Sequence, residues 1–164
     1  MFGIIRWMSA IVLILGLGLS GGGLYAHNQV SSQLQEQRIT MPEESQLPTQ
    51  EQREALGSWA GQQLTTGPQA KAFADHYVAV HLQQMAGGRT YSEIGEDEPE
   101  LKAKVFEGQT VRATLLTAYA FWALGSISLW SGVVLLLLGV LGAVIAIIQR
   151  QSKKSVGVRK NSAA

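Results

Sequence analysis

The chain has 164 residues, of which 46% are hydrophobic, and it contains no cysteine, so disulfide bonds and thiol chemistry are excluded. The formal net charge of +1 conceals an uneven distribution. Residues 27–112 carry all 12 acidic and 7 of the basic residues, whereas the two ends carry 6 basic residues and no acidic one. Because short segments rich in Lys and Arg stay in the cytoplasm, this distribution predicts cytoplasmic ends and an exported acidic middle.

The N-terminal segment predicts the first membrane-spanning helix. Residues 1–6 form a cytoplasmic N-terminus with Arg6, and residues 7–26 form an apolar run of spanning length. Two interpretations remain open, an uncleaved signal-anchor and a signal peptide removed after Ala26. We favour the uncleaved helix, because the run exceeds a typical signal core and Leu24 is a poor residue for position −3.

Small residues four positions apart predict helix packing in both apolar segments. Such spacing makes a smooth stripe on which another helix packs closely, since van der Waals contact drives association in lipid. The pattern favours pairing of the two spans with each other over a homodimer. The predicted packing residues are Gly16, Gly18, Gly22, Gly132, Gly139 and Gly142.

A polar linker over residues 27–48 and a helical extracytoplasmic domain over residues 49–112 are predicted next. The linker is rich in Gln, Glu and Ser and has little to bury, so it is predicted to be a helical extension that frays into an exposed linker. Within the domain, Thr49 and Gln52 resemble a capping box at the start of a short helix. The clearest helix is predicted over residues 68–86, with Pro68 at its start and two glycines after its end. A further helix is predicted to begin at Pro99, and a kink is expected at Gly108.

The apolar face of the predicted helix over residues 68–86 suggests an interaction surface or pocket. Phe73, Tyr77 and His81 recur on that face, and a ligand pocket could form between them and Trp59 or Tyr91. His81 is interpreted as a hydrogen-bonded residue of the domain rather than a base or ligand. Further along the chain, aromatic residues cluster before the second span, among them Tyr119 and Trp122.

The longest feature is the uncharged stretch over residues 113–149. Its 37 residues exceed the length of about 20 that a bilayer core requires. We therefore predict a helix extension at the outer interface over residues 113–125, a second span over residues 126–148 and a basic cytoplasmic tail over residues 149–164. The absence of charge within the spans argues against a channel or a carrier, unless the protein forms an oligomer. The tail is explained by orientation and anionic lipid, and no nucleic-acid motif is present.

Two blocks of sequence resemble a family of small actinobacterial membrane proteins of unknown function. The first block runs from AKAFADHY at residues 70–77 through His81 and Leu82 to AGGRTYSE at residues 86–93, and the second is FEGQTVR at residues 106–112, followed by Leu115, Leu116 and AYAFW at residues 118–122. The resemblance implies two spans around a helical extracytoplasmic domain and no established biochemistry. Members are sometimes labelled aromatic ring-opening dioxygenases.

The residues do not support that label. An extradiol enzyme needs iron held by two His and one carboxylate. Here His27 lies at the end of the first span, and His76 and His81 are about 140° apart around a helix, at about 100° per residue. They do not converge on one ion.

The sequence thus predicts an all-α membrane protein in which two transmembrane helices flank a small helical extracytoplasmic domain, located in the plasma membrane. The first functional hypothesis is a non-catalytic accessory or scaffold subunit of a cell-envelope complex. The second is an extracytoplasmic sensor or ligand-binding module, and the third is a hydrolase or metalloenzyme. We predict no catalytic residue, cofactor or metal. The expected partners are the lipid bilayer and a membrane protein or a second copy, but no nucleic acid.

Overall fold

The computed structural model describes the backbone of residues 2–161 and the side chains of residues 4–151. Within that range the chain is helical and contains no strand, apart from one isolated bridge between Thr40 and Gln63. The α-helices are α1 (Phe2–Glu36), α2 (Gln50–Leu56), α3 (Gly67–Phe73), α4 (Ala79–Met85) and α5 (Pro99–Asn161). A π-helical segment, Ala74–Val78, joins α3 to α4, and short 3-10 turns lie at Glu44–Gln46, Gly57–Trp59 and Tyr91–Glu93.

The helices α1 and α5 are both long and apolar enough to cross a membrane. The chain divides into two compact units. We call residues 2–25 and 125–161 the paired-helix unit, and residues 26–124 the helical domain. The predicted all-helical class, with two long apolar helices, is therefore confirmed.

The helical domain is built around one main hydrophobic core. Both ends of the domain's sequence contribute to it, since Val30 and Leu34 of α1 and Leu115 of α5 are buried there. The remaining buried members come from the segments between these helices: Met41, Leu47, Leu56, Leu64, Ala70, Phe73 and Ala74. A second, smaller core contains Ala86, Ile94 and Val105.

The segment over residues 27–48 begins with the predicted helical extension, but the part that follows is not an exposed linker. Helix α1 continues to Glu36, and after it Met41 and Leu47 are almost fully buried. The Met41 amide donates to the Gln62 carbonyl at 2.8 Å, and the Leu64 amide donates to the Ile39 carbonyl at 2.8 Å. Isolated apolar residues in a polar segment have no helical or strand period, so their burial was not evident from the pattern.

The helix predicted over residues 68–86 is present, but its geometry changes in the middle. Thr66 caps its start by accepting from the Gln69 amide, and Gly87 and Gly88, with φ of 61° and 82°, end it. The π segment widens the helix, so that its inward positions follow a four-residue interval through Ala70, Ala74, Leu82 and Ala86. His81 consequently lies exposed rather than on the buried face.

Helix α5 continues through Gly108, where a kink was expected. The reason for glycine there is a close approach, because a Cβ at Gly108 would overlap the side chain of Leu82. Helix α4 thus packs closely against α5 at Gly108.

Candidate functional site

The paired-helix unit is held together by small residues at seven-residue intervals. Its buried positions on α1 include Ser9, Gly16 and Gly23, and those on α5 are Gly125, Gly132, Gly139 and Ala146. The helices run antiparallel, since Gly23 approaches Gly125, Gly16 approaches Gly132 and Ser9 approaches Gly142. The Ser128 hydroxyl also donates to the Leu19 carbonyl at 2.9 Å. Seven residues are close to two helical turns, so each of these residues returns to the same face.

The predicted packing glycines divide into two groups. Gly16, Gly132, Gly139 and Gly142 lie at the contact between α1 and α5, where a Cβ would overlap the other helix. Gly18 and Gly22 do not lie at this contact, because a Cβ at either would meet no atom within 4 Å. Sequence reasoning missed Gly23 and Gly125. The seven-residue interval that links Gly16 to Gly23 and Gly125 to Gly132 was the signal that could have found them.

Phe73, Tyr77 and His81 form a ladder of rings along α3, the π segment and α4. The ring centroids of Phe73 and Tyr77 are 4.9 Å apart, and those of Tyr77 and His81 are 4.3 Å apart. His81 Nδ1 lies 3.0 Å from the Tyr77 carbonyl, so this nitrogen carries the proton and donates. Phe73 is buried in the main core, Tyr77 is half-buried and His81 is exposed. The ladder leads from the core to the surface.

The other predicted pocket residues do not all join this ladder. Trp59 and Trp122 are half-buried against the main core, and the Trp122 ring stacks on His27 with centroids 4.1 Å apart. Tyr119 lies beneath Lys71, with the Lys71 Nζ 5.8 Å from its ring centroid.

Tyr91 has different neighbours. Its ring lies 5.9 Å from that of Phe106, and the Lys102 Nζ lies 5.5 Å from its centroid. Tyr91 therefore lies away from the main core, against which Trp59, Tyr77 and Trp122 all pack.

Asp75 forms a charged centre that the sequence did not reveal. It lies in the π segment, where its carboxylate pairs with Lys71 and accepts from Arg112 at 3.0 Å. The hydrogen bond from Lys71, and then that from Arg112, hold the pKa of Asp75 below its usual value. The same hydrogen bond, which Lys71 donates to Asp75, raises the pKa of Lys71. Both basic partners are thus used to neutralise one carboxylate, which ties the π segment to α5.

The three histidines lie apart. His27 Nε2 is 3.1 Å from the Trp122 carbonyl, His76 Nδ1 is 3.4 Å from the Glu51 carboxylate, and His81 contacts Tyr77. Among the residues that the structure describes, no group of three or more His, Asp or Glu side chains could hold a metal ion.

An open depression of about 530 Å³ lies beside the start of α5. It is lined by Met85 of α4, by residues 97–101 and by Lys104. Glu98 at its rim is already paired with Arg89. Acidic side chains near the start of a helix are stabilised by the positive end of the helix dipole. This effect explains the acidic residues at the start of α5.

The contacts above are helix packing, ring stacking and paired charges. Exposed apolar side chains lie along both helices of the paired-helix unit. In comparisons with known proteins, no family model, curated protein or solved structure matches this chain.

Proposed function

We propose that this chain is an integral membrane protein whose two spans flank a small extracytoplasmic domain, and that it serves as a non-catalytic accessory or scaffold subunit of a cell-envelope complex. The observation that carries the proposal is the bare apolar surface of the paired-helix unit. Trp7, Ile14 and Leu137 are exposed by 74%, 67% and 67%. In the most apolar windows of α1 and α5, only 11% and 17% of the residues are buried. Exposed apolar surface on this scale requires lipid or protein to cover it.

Charge supports the proposed orientation. Arg6 and Arg150 flank the apolar parts of α1 and α5, whereas all acidic residues lie within the helical domain or at the end of α1 that enters it. With the basic ends in the cytoplasm, the acidic domain faces outward. The plasma membrane is the corresponding location.

The accessory role rests on how the polar groups are used. Asp75, Arg89 and Lys102 each have a partner of opposite charge within the helical domain. Such ion pairs also occur as purely structural contacts. The resemblance to small actinobacterial membrane proteins supports the same two-span organisation, and we propose membership of that family.

Topology is tested first. The chain lacks cysteine, so Gln50→Cys in the helical domain and Ser152→Cys in the basic tail introduce single thiols without background. In intact cells we expect a membrane-impermeant maleimide to label the thiol at position 50 and not the one at position 152. Labelling of both thiols after membrane lysis is the control. The reverse pattern would overturn the orientation, and recovery of the protein in the soluble fraction would overturn membrane insertion.

The accessory role is tested by crosslinking in native membranes and pulldown through a C-terminal tag. A defined protein recovered at stoichiometric level is the expected result. A parallel pulldown with the isolated tag gives the background. Recovery of this chain without any other protein would count against an accessory role.

A further inference from the structure

One face of α5 within the helical domain is exposed along its length, and Tyr91 is the residue whose ring approaches it, at 5.9 Å from that of Phe106. Its residues recur at alternating intervals of three and four, which is the spacing of a coiled-coil seam. All of them are exposed, whereas Val105 and Leu115 on the opposite face are buried in the domain's cores. We call this face the outer seam, and it consists of Ala103, Phe106, Thr110, Ala113, Thr117, Ala120 and Leu124.

The outer seam contains no charged residue, and the hydroxyl groups of its two threonines donate hydrogen bonds within the helix. The Thr110 hydroxyl donates to the Phe106 carbonyl at 2.8 Å, and the Thr117 hydroxyl donates to the Ala113 carbonyl at 2.9 Å. Each of these hydroxyl groups thus already has an acceptor on its own helix backbone. Phe106 and Leu124 remain 58% and 60% exposed. The face therefore has the chemistry of a helix contact.

Lipid alone cannot cover this face if α5 crosses the membrane. The uncharged stretch over residues 113–149 has 37 residues, which is about 55 Å of helix at about 1.5 Å per residue. A bilayer core is about 30 Å thick. The excess leaves apolar turns outside the hydrocarbon, and these require protein.

We propose that the outer seam binds the same seam of a second copy, forming a parallel dimer of α5 helices. This inference rests on the proposed membrane insertion, because two copies inserted with the same orientation present parallel helices. Each seam residue then meets its own counterpart, and uncharged small side chains such as Ala113 and Thr117 can do so without repulsion.

The flanking charges fit the same arrangement. In a parallel pair, a residue on one edge of the seam faces the residue five positions later on the other helix. Lys102 and Glu107 occupy two such positions. Lys102 already pairs with Glu96, whereas Glu107 has no ion-pair partner among the described side chains. In the parallel dimer, Glu107 of one copy lies beside Lys102 of the other, which it shares with Glu96.

Single thiols test the dimer in native membranes. We expect Ala113→Cys, on the seam, to give a disulfide-linked dimer when the membranes are treated with copper phenanthroline. Val111→Cys is the matched control, because Val111 is also exposed but lies outside the seam spacing. Absence of a dimer for Ala113→Cys, or equal dimer for Val111→Cys, would overturn the proposal.

A second test of the dimer keeps the thiol at position 113 and places a negative charge elsewhere on the outer seam. Thr117→Glu, combined with Ala113→Cys, should abolish the disulfide-linked dimer, whereas Val111→Glu in the same background should retain it. Both changes are at exposed positions, so the helical content measured by circular dichroism should stay constant. Persistence of the dimer in the Thr117→Glu variant would contradict the seam.

The outcomes separate this inference from the proposed function. Ala113→Cys protein that fractionates with membranes but stays monomeric refutes the dimer and leaves membrane insertion standing. Loss from the membrane fraction refutes insertion itself. A bifunctional maleimide that links the seam to a different protein instead of a second copy would also overturn the proposal.

Discussion

The side chain of Trp122 fills the space that a methyl group would need at Gly67. This glycine is buried at the first position of α3, and its missing Cβ would overlap the Cβ and Cγ of Trp122. Because those atoms lie next to the α5 backbone, they cannot move without moving the helix. Gly67 thus fixes how closely α3 approaches α5.

Gly67→Ala should therefore destabilise the helical domain by about 1–3 kcal/mol, the usual cost of overpacking. Gly57→Ala is the matched control, since Gly57 has helical angles of −58° and −35° and no atom within 4 Å of an added Cβ. The control should be neutral or stabilising by about 0.4–1 kcal/mol. Urea unfolding of both variants in detergent, followed by circular dichroism, measures the difference. Equal stabilities would contradict the packing argument.

Asp75 predicts a pH dependence of stability. Its pKa is lower in the folded state, through Lys71 and Arg112, so its contribution is present above the unfolded pKa of about 3.9 and is lost as the pH falls through the folded pKa. Because Lys71 is 47% exposed and Arg112 34% exposed, we expect Asp75→Asn to cost only about 1 kcal/mol at pH 7.

Unfolding of wild type and Asp75→Asn between pH 7 and pH 3 tests this expectation. The difference in free energy of unfolding should shrink at the acidic end, while Glu54→Gln, at an exposed carboxylate, should change little throughout. A difference that stays constant down to pH 3 would exclude the charge as its cause.

These residue contacts lay beyond sequence reasoning for a definite reason. Asp75 and Arg112 are 37 positions apart, and no local pattern connects them. Gly67 carries no signal of its own in the sequence beyond its place before Pro68. Its contact with Trp122 depends on how two helices meet, which a periodic pattern does not specify.

The helices themselves were easier to predict, because their ends carry local signals. Pro68 near the start of α3 and Gly87 after α4 gave boundaries within one residue of those observed. The predicted buried face was wrong beyond Tyr77. The π segment changes which side chains point inward, so that His81 and Met85 are exposed. A π segment has no sequence signature comparable to a cap.

The contact between α1 and α5 predicts opposite effects for two neighbouring glycines. A Cβ at Gly23 would lie 2.5 Å from the Gly125 carbonyl oxygen and 2.6 Å from the Leu129 amide nitrogen, whereas a Cβ at Gly22 meets nothing within 4 Å. Both substitutions by alanine gain helix propensity of about 1 kcal/mol. Only Gly23→Ala forces two backbones apart, at a cost of about 1–3 kcal/mol.

We therefore expect Gly23→Ala to be less stable than Gly22→Ala when unfolding in mixed micelles is followed by circular dichroism. The two changes share a helix and a chemistry, so effects on helix propensity cancel in the comparison. A Gly22→Ala variant as unstable as Gly23→Ala would show that the other face of α1 is also packed.

At the scale of the whole molecule, the organisation predicted for residues 27–48 needs the largest correction. This segment contributes Val30, Leu34, Met41 and Leu47 to the main core of the helical domain. Its polar composition indicated an exposed linker, because most of its side chains are indeed exposed. Burial of a few apolar residues depends on distant segments, and composition averages over them.

The structure also bears on processing at Ala26. Helix α1 is continuous from Phe2 to Glu36, and removal of residues 1–26 would take Gly16 and Gly23 away from the glycine face of α5. We expect purified protein to retain α1, with an intact mass near that of the 17.7 kDa chain. Protein expressed in cells treated with a signal peptidase inhibitor, compared with protein from untreated cells, is the control. A product that begins at His27 would contradict this expectation.

The pairing of α1 with α5 has a consequence for biogenesis. Leu19 and Ser128, which share a hydrogen bond, are separated by 109 residues. At about 5–20 residues per second, the ribosome needs on the order of 5–20 s to supply that length. Throughout this interval the packing face of the glycine-rich helix α1 stays uncovered, which makes α1 the segment that a chaperone or a quality-control protease would encounter first.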